Sequence, residues 1–312
     1  MFGRLFVLMV ILALVGACAQ EEPDATVTAP EPSTETTQTT AAAAQEPVML
    51  DGFSTPESVL YDPEQDVYFV SNINGAPLDV DDNGFISRVN AETRQVELKW
   101  IDGGAQNVQL SAPKGLAIVG DELWVSDITK IAKFDRKTGQ PKGTFNVPGS
   151  TFLNDVTSEV GVFVSDSGMK SDGKGGFAPT GTDAVWEVTG SKPKKVASGK
   201  DLKGPNGLQQ SAGHLWAVTF AGNELYALDN GKKTNAVTLP QGGLDGLVIL
   251  DDGSFLVTSW DGKTIYRGTS GGQFQPAVEN VNAPADIGFD SKRRMILVPM
   301  FMDNRVALHP LR

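Results

Sequence analysis

Apolar and polar positions alternate in a repeated order along residues 48–312. Six units each begin with a polar residue that an apolar run follows at once. Some ten residues later comes a second run, such as DVYFVSN (66–72), and then a third, such as FISRVN (85–90). Short runs of this kind, rich in β-branched and aromatic residues, predict strands. Units of ~40 residues with several strands each predict a β-propeller. The polar residues that open the six units are Glu57, Lys114, Asn154, Asn206, Asp245 and Asp286.

A fourth run completes five of the six units, as VELKWID (96–102) does in the first. The sixth unit lacks one, and residues 47–50 precede the first unit. We expect this N-terminal strand to become the outer strand of the last blade, because that pairing removes an exposed edge. The fold class predicted is therefore all-β, a six-bladed β-propeller with about four antiparallel strands per blade, closed by an N-terminal strand.

Two connections between second and third strands are long, residues 73–84 in blade 1 and 168–183 in blade 3. In an up-and-down blade these connections lie on the face where the first strand begins. We therefore expect both to lie over the mouth of the central channel, where they either shape a binding site or are tolerated loops. Within the first, Asp79–Gly84 matches the start of a calcium loop, but Asn90 stands where such a loop needs Glu. A second calcium site and a plain hairpin loop are both open there.

The N-terminus predicts an exported protein. Arg4 precedes the apolar run 6–17, which is shorter than a membrane span and is typical of a signal peptide. Cys18, the only cysteine, follows Val15-Gly16-Ala17, which resembles a bacterial lipobox. We expect 1–18 to be a lipoprotein-type signal peptide with lipidation at Cys18, or else an ordinary signal peptide. Residues 19–46 are rich in Thr, Ala and Pro and carry six acids and no base, which predicts a disordered tether.

Residues 47–312 are then the propeller, in an extracytoplasmic, lipid-anchored protein on a bacterial membrane. The formal charge of the chain is −12, and −7 remains once Arg4 and the six tether acids are set aside. An acidic body argues against nucleic acid as a partner and suits a cation. We expect contact with the membrane through the lipid anchor only, and a monomer.

The polar residues that open the units supply oxygen ligands. Calcium takes six to eight oxygens, and two carboxylates with two amide oxygens would match its charge and leave positions for water or substrate. Such an ion can stabilise the oxyanion that develops when a lactone or phosphoryl group reacts. Asn206-Gly207 and Asp245-Gly246 are also ordinary turn dipeptides, so each alone has a structural explanation.

The spacing and motifs of these units resemble those of the senescence-marker-protein (regucalcin)/gluconolactonase family over residues 48–312. Lys114 and Asp286 depart from the family pattern or extend it. The resemblance implies a divalent cation in the channel, with calcium predicted and zinc or manganese as alternatives. It implies a base or nucleophile role for Asp245. The ligands that it implies are Glu57, Asn154, Asn206 and Asp245.

Other polar and aromatic positions near the predicted mouth are candidate substrate contacts. Lys114 binds a substrate carboxylate, balances the acidic centre, replaces the metal or simply reaches solvent. Second strands end in Asp127, Asp166 and Trp260, whose aromatic ring is either a ligand contact or packing between blades. The predicted substrate-binding residues are Lys114, Asp286, Asp127, Asp166 and Trp260.

We therefore predict a metal-dependent hydrolase of the lactonase (gluconolactonase-like) type that acts on a small molecule such as a lactone. The alternative is a non-enzymatic propeller lipoprotein that binds a ligand or protein at the cell envelope, since propeller shape does not determine function. A metal-free catalyst that uses Lys114 is a third interpretation.

Overall fold

The chain forms a propeller of six antiparallel sheets with four strands each. The computed structural model describes residues 46–105 and 107–312. Blade 1 contains β2 (Pro56–Asp62), β3 (Val67–Asn72), β4 (Phe85–Asn90) and β5 (Val96–Asp102). Blade 2 contains β6 (Pro113–Val119), β7 (Glu122–Asp127), β8 (Lys130–Asp135) and β9 (Pro141–Asn146). Blade 3 contains β10 (Leu153–Ser158), β11 (Val162–Asp166), β14 (Ala184–Glu187) and β15 (Lys194–Ser198).

The second half of the ring repeats this order, and a short 3₁₀ turn (Lys200–Leu202) precedes it. Blade 4 contains β16 (Pro205–Ser211), β17 (His214–Thr219), β18 (Glu224–Asp229) and β19 (Lys232–Thr238). Blade 5 contains β20 (Leu244–Ile249), β21 (Phe255–Ser259), β22 (Thr264–Gly268) and β23 (Gln275–Glu279). Blade 6 contains β24 (Gly288–Asp290), β25 (Met295–Met300), β26 (Arg305–Pro310) and β1 (Val48–Asp51). The predicted fold class is confirmed.

The N-terminal strand closes the ring, as predicted. β1 pairs antiparallel with β26, and Leu50 lies opposite Val306. Leu50 is buried in the core between blades 6 and 1, whereas Met49 points outward and is 36% exposed. First and last segments of the propeller are thus held in one sheet, which leaves no unpaired junction in the ring.

The first strand of each blade lines the channel, and its start is bulged. In blades 1 to 5 the register between first and second strands shifts by one residue just after the strand begins, as between Pro56 and Val59. A bulge places two residues opposite one and re-aims a side chain. Here it directs the first of the two residues that share one partner toward the channel mouth.

Glycine follows the polar residue in three blades because the inner strands nearly touch. A Cβ at Gly207 would lie 2.3 Å from the carbonyl oxygen of Asp245, and one at Gly246 would lie 2.4 Å from the backbone nitrogen of Ile287. At Gly115 it would lie 2.5 Å from Cα of Asp155. The sequence alone also allowed Asn206-Gly207 and Asp245-Gly246 to be ordinary turns. In the structure, both dipeptides lie in inner strands, at points where neighbouring strands touch.

The hydrophobic core lies between neighbouring blades. The second strands are its most buried elements, since all six residues of β3 are buried. Fourth strands such as β9 are largely exposed at the rim. The core is thus a ring of interfaces between sheets, and it holds the inner strands in place.

The predicted signal peptide, lipidation at Cys18 and nearly all of the tether lie outside the described residues. Within the described part of the chain, no helix has the length and apolar character needed to cross a membrane.

We expect Leu50→Ala to lower the free energy of unfolding by about 2–4 kcal/mol, because it opens a cavity in the closing sheet. Met49→Ala, one residue away on the exposed side of the same strand, should cost less than about 1 kcal/mol. Urea unfolding of both variants measures the difference. Equal losses would contradict a closing role for the buried face of β1.

Gly207→Ala should destabilise the fold by about 2 kcal/mol or more, because its methyl group overlaps the neighbouring inner strand. Gly271→Ala is the matched control, since a Cβ there would meet nothing within 4 Å. Thermal unfolding of the two variants should separate them, and a Gly207→Ala protein as stable as the control would refute the close approach.

Candidate functional site at the channel mouth

Five side chains from five inner strands converge at one end of the channel. Each occupies the first position of its bulge, and all are buried. They form the floor of a cavity of about 310 Å³. These floor residues are Glu57, Lys114, Asn154, Asn206 and Asp245.

Four of the floor residues present an oxygen that accepts no hydrogen bond. In the described residues five buried side-chain oxygens lack a partner, and four of them lie here. A buried polar atom without a partner costs about 1–3 kcal/mol, so such atoms are rare in native structures. The four oxygens are Glu57 Oε2, Asn154 Oδ1, Asn206 Oδ1 and Asp245 Oδ1.

Neighbouring groups hold these side chains in place. Trp260 Nε1 donates to Asp245 Oδ2 at 2.8 Å, which leaves Oδ1 free. Asn154 Nδ2 donates to Ser167 Oγ at 3.3 Å, which defines the direction of its amide oxygen. The Ser126 hydroxyl donates to the backbone carbonyl of Asn154. The free oxygens are thus positioned before any ligand arrives.

The channel concentrates negative charge. Burial raises the pKa of Glu57 well above its usual value, and the carboxylates of Asp245 and Asp286 raise it further. Burial and the charge of Asp286 likewise raise the pKa values of Asp155 and Asp245. Burial raises the pKa of Asp286 itself to about 7. Burial and mutual repulsion thus disfavour the ionised forms of these carboxyls.

Lys114 does not neutralise the acidic centre by direct pairing. Its Nζ donates to the carbonyl of Ala112 at 2.9 Å and lies 4.7 Å from the ring centre of Phe152. No carboxylate of the residues that the structure describes lies within 4.0 Å of that nitrogen. Burial lowers the pKa of Lys114, and the charges of Glu57 and Asp127 oppose this shift.

The donor set fits a hard cation. Two carboxylate and two amide oxygens, all free, offer the ligand chemistry that calcium prefers. Across residues 46–105 and 107–312, no group of three or more His, Cys, Asp or Glu side chains is placed to hold a metal ion. A cation at this floor would therefore depend on Asn154 and Asn206 as much as on the acids.

Asp286 does not line the mouth cavity. In blade 1, Pro56 pairs with the last residue of the second strand, and the next residue, Glu57, lies at the floor. In blade 6, Pro284 pairs with the last residue of the second strand in the same way. Ala285 therefore takes the floor position, and Asp286 comes one residue later. Its Oδ2 accepts a hydrogen bond from Ser58 Oγ at 2.5 Å. Asp286 and Asp155 instead line a cavity at the opposite end of the channel.

Asp127 and Asp166 also lie outside the cavity lining. Asp127 accepts hydrogen bonds from the backbone of Ser111 and Ala112, at 3.1 and 2.8 Å. Asp166 accepts one from the backbone of Phe152 at 2.9 Å. Each carboxylate thus holds the segment that leads into the inner strand of its own blade.

Of the predicted substrate contacts, the structure brings Lys114 and Trp260 to the cavity. Both long connections also reach it, as expected: Leu78 and Asp79 come from the first, and Met169 and Phe177 from the second. The second contains a hairpin, β12 (Met169–Ser171) and β13 (Phe177–Pro179). In the Asp79–Gly84 loop, Asp81 accepts hydrogen bonds from Asn83, so its carboxylate closes the turn.

Apolar side chains form the upper walls. Trp260 packs between Phe220 and Phe301, with ring centres 5.6 and 5.1 Å apart. Opposite them, Phe152 meets Phe177 edge-to-face at 5.7 Å. Sequence reasoning missed Phe152 and Phe177. The available signals were an aromatic residue directly before an inner strand and a single phenylalanine in a Gly-rich insertion.

Comparison with known proteins adds evidence on the fold. No family model and no curated protein matches the sequence. Among solved structures, a gluconolactonase from Xanthomonas campestris matches with TM-score 0.65 and 18% identity, over 85% of this chain and 90% of that one. Regucalcin from Agrobacterium tumefaciens, described as a calcium-binding protein, matches with TM-score 0.58 and 14% identity, over 86% and 97%. Virginiamycin B lyase from Staphylococcus aureus matches with TM-score 0.57 and 16% identity, over 86% and 100%.

At these identities the likeness establishes the fold. The structural neighbours of this six-bladed propeller include gluconolactonase and regucalcin, the proteins whose motifs its sequence resembles.

Proposed function

We propose that this propeller is a metal-dependent hydrolase of the lactonase type, with a divalent cation held by Glu57, Asn154, Asn206 and Asp245. The observation that carries the proposal is the set of four buried oxygens without hydrogen-bond partners at the channel floor. An all-oxygen set favours calcium over zinc, which prefers nitrogen and sulfur ligands. The gluconolactonase and the calcium-binding regucalcin among the structural neighbours support this choice.

A bound cation would supply positive charge to the carbonyl oxygen of a lactone and to the oxyanion that forms from it. Asp245 then acts as general base. Its Oδ1 is the proposed cation ligand, so the proton goes to Oδ2, which accepts one hydrogen bond from Trp260 and keeps a second lone pair. Water attacks the carbonyl carbon while Asp245 accepts a water proton. The ring C–O bond breaks, the leaving oxygen takes up a proton, and a hydroxy acid is released.

Lys114 contributes a second positive group at the floor. Its amine lies against Phe152 and has one backbone acceptor. It can therefore donate to the carboxylate of the product or to the ring oxygen of the substrate. We further propose that the protein works on the outer side of a bacterial membrane, anchored through Cys18.

Removal of a proposed ligand should abolish both cation and activity. We expect Asn206→Leu and Asp245→Asn to lose a stoichiometric bound ion after dialysis against a weak chelator, and to lower lactone kcat/KM at least about 100-fold. Elemental analysis and a lactone hydrolysis assay on the full chain provide the measurements. Asp251→Asn removes a charge from an exposed turn and should change neither.

Three other outcomes would revise the proposal. A stoichiometric ion that persists in both variants would move the cation away from the floor. A bound ion with no turnover on lactones would favour the non-enzymatic binding propeller. Lactone turnover by protein without any ion would favour the metal-free mechanism through Lys114.

The raised pKa values predict a stability that depends on pH. Because the folded chain holds protons on these carboxyls that the unfolded chain releases, the ion-free protein should lose stability as pH rises from about 4 toward neutral. For Asp286 the window runs from 3.8 to about 7. We expect the Tm in chelator to fall by about 5 °C or more between pH 5 and pH 8.

Calcium should reverse this loss, and more strongly at pH 8 than at pH 5, because protonated carboxyls do not ligate a cation. Differential scanning calorimetry at both pH values, with chelator and with calcium, tests the sign. Asp286→Asn should flatten the fall in chelator. A Tm in chelator that rises from pH 5 to pH 8 would contradict the buried acidic centre.

A further inference from the structure

Above its floor, the mouth cavity offers a ligand few polar partners. Asp79, Ser167 and Ser171 are the other side chains with oxygen that line it in the described residues. The Ser167 hydroxyl already donates to the carbonyl of Pro205 at 2.9 Å and accepts from Asn154. A ligand with many hydroxyl groups would lose water contacts in this cavity without regaining them, which is costly.

Two aromatic walls rise from the floor instead. One is the Phe220–Trp260–Phe301 row, and the other is the Phe152–Phe177 pair. Trp260 joins wall to floor, because its indole nitrogen donates to Asp245 while its ring packs in the row. A ligand whose reacting group reaches the floor must therefore lay the rest of its surface against aromatic rings.

The rim of the cavity exposes further apolar surface. Phe177 is 47% exposed and Met302 is 62% exposed, although both line the cavity. Val80, adjacent to the lining residue Asp79, is 81% exposed. Two of the six large hydrophobic side chains exposed in the described residues thus line this cavity, and a third follows a lining residue in the sequence. Clustered apolar exposure of this kind marks a binding surface.

We propose that the substrate is a lactone that carries an apolar substituent, an alkyl chain or aromatic ring, and that polyhydroxylated sugar lactones are poor substrates. This inference rests on the proposed hydrolysis at the floor. The ring carbonyl lies at the floor, and the substituent runs between the aromatic walls toward Phe177 and Met302. The cavity of about 310 Å³ suits one small ligand of this shape.

A matched series of δ-lactones tests the substrate class with the calcium-loaded full chain. δ-Hexalactone carries a methyl group, δ-decalactone a pentyl group, and glucono-δ-lactone hydroxyl groups on the same ring. A methylene that leaves water on binding favours the complex by up to roughly four-fold. We expect kcat/KM for δ-decalactone at least ten-fold above both others. A higher value for glucono-δ-lactone would overturn the proposal while leaving lactone hydrolysis intact.

Phe177→Ser tests the wall. It should lower kcat/KM for δ-decalactone three- to ten-fold and lower that for δ-hexalactone less, because only the longer chain reaches this ring. Val160→Ser is the control, since Val160 is 86% exposed and does not line the cavity, and it should change neither value. Equal effects of Phe177→Ser on both substrates would refute the assigned path, and thermal unfolding checks that the variant folds.

Binding separates this inference from the proposed function. If no lactone is hydrolysed, the hydrolase proposal fails, and calorimetric titration with 2-pentylcyclohexanone and 2-methylcyclohexanone still reports on the cavity. Tighter binding of the pentyl ketone, weakened by Phe177→Ser, would support an apolar ligand. Equal binding of the two ketones, or none, would overturn it.

Discussion

Close contact among the inner strands is the constraint on which the rest of this structure depends. Each bulge turns one side chain toward the mouth, and the next residue must let the neighbouring strand approach. Gly115, Gly207 and Gly246 allow this approach where a Cβ would overlap backbone atoms. The same local geometry therefore packs the ring and delivers one polar residue from each of blades 1 to 5 to a common point, so that fold stability and site geometry have one cause.

Much of this arrangement could be predicted from the sequence, since the repeated order of polar start and apolar runs determined blade number, strand order and ring closure. The floor residues Glu57, Lys114, Asn154, Asn206 and Asp245 follow from the same repeat. Asp286 was predicted from the same repeat but does not lie at the floor. The pattern of polar residues cannot show that blade 6 is shifted by one residue, and strand pairing places Ala285 at the floor instead. Asp127 and Asp166 show a second limit: backbone amides take up these carboxylates, and hydrogen-bond partners distant in sequence leave no local signal.

The aromatic walls were only partly predictable for a related reason. Phe220, Trp260 and Phe301 lie at or just after the ends of second strands, so the repeat itself brings them to the mouth. Phe177 comes from a hairpin inserted into blade 3, outside the repeat. Inserted segments obey no periodicity, so their contacts appear only once the chain is folded. The Phe177 side of the cavity wall therefore lies where the sequence pattern is least informative.

The balance of charge at the floor supports the proposed cation over a role for Lys114 alone. Glu57, Asp155, Asp245 and Asp286 are all buried in one channel, and their pKa values are all raised. Lys114 is the one buried cation among the floor residues, and it takes a backbone carbonyl as its near partner. A single amine cannot offset several carboxylates. Lys114 also donates no hydrogen bond to any of the four free oxygens of the floor. A divalent cation, as proposed above, would satisfy all four free oxygens, whereas protons on the two acids would leave both amide oxygens without a partner.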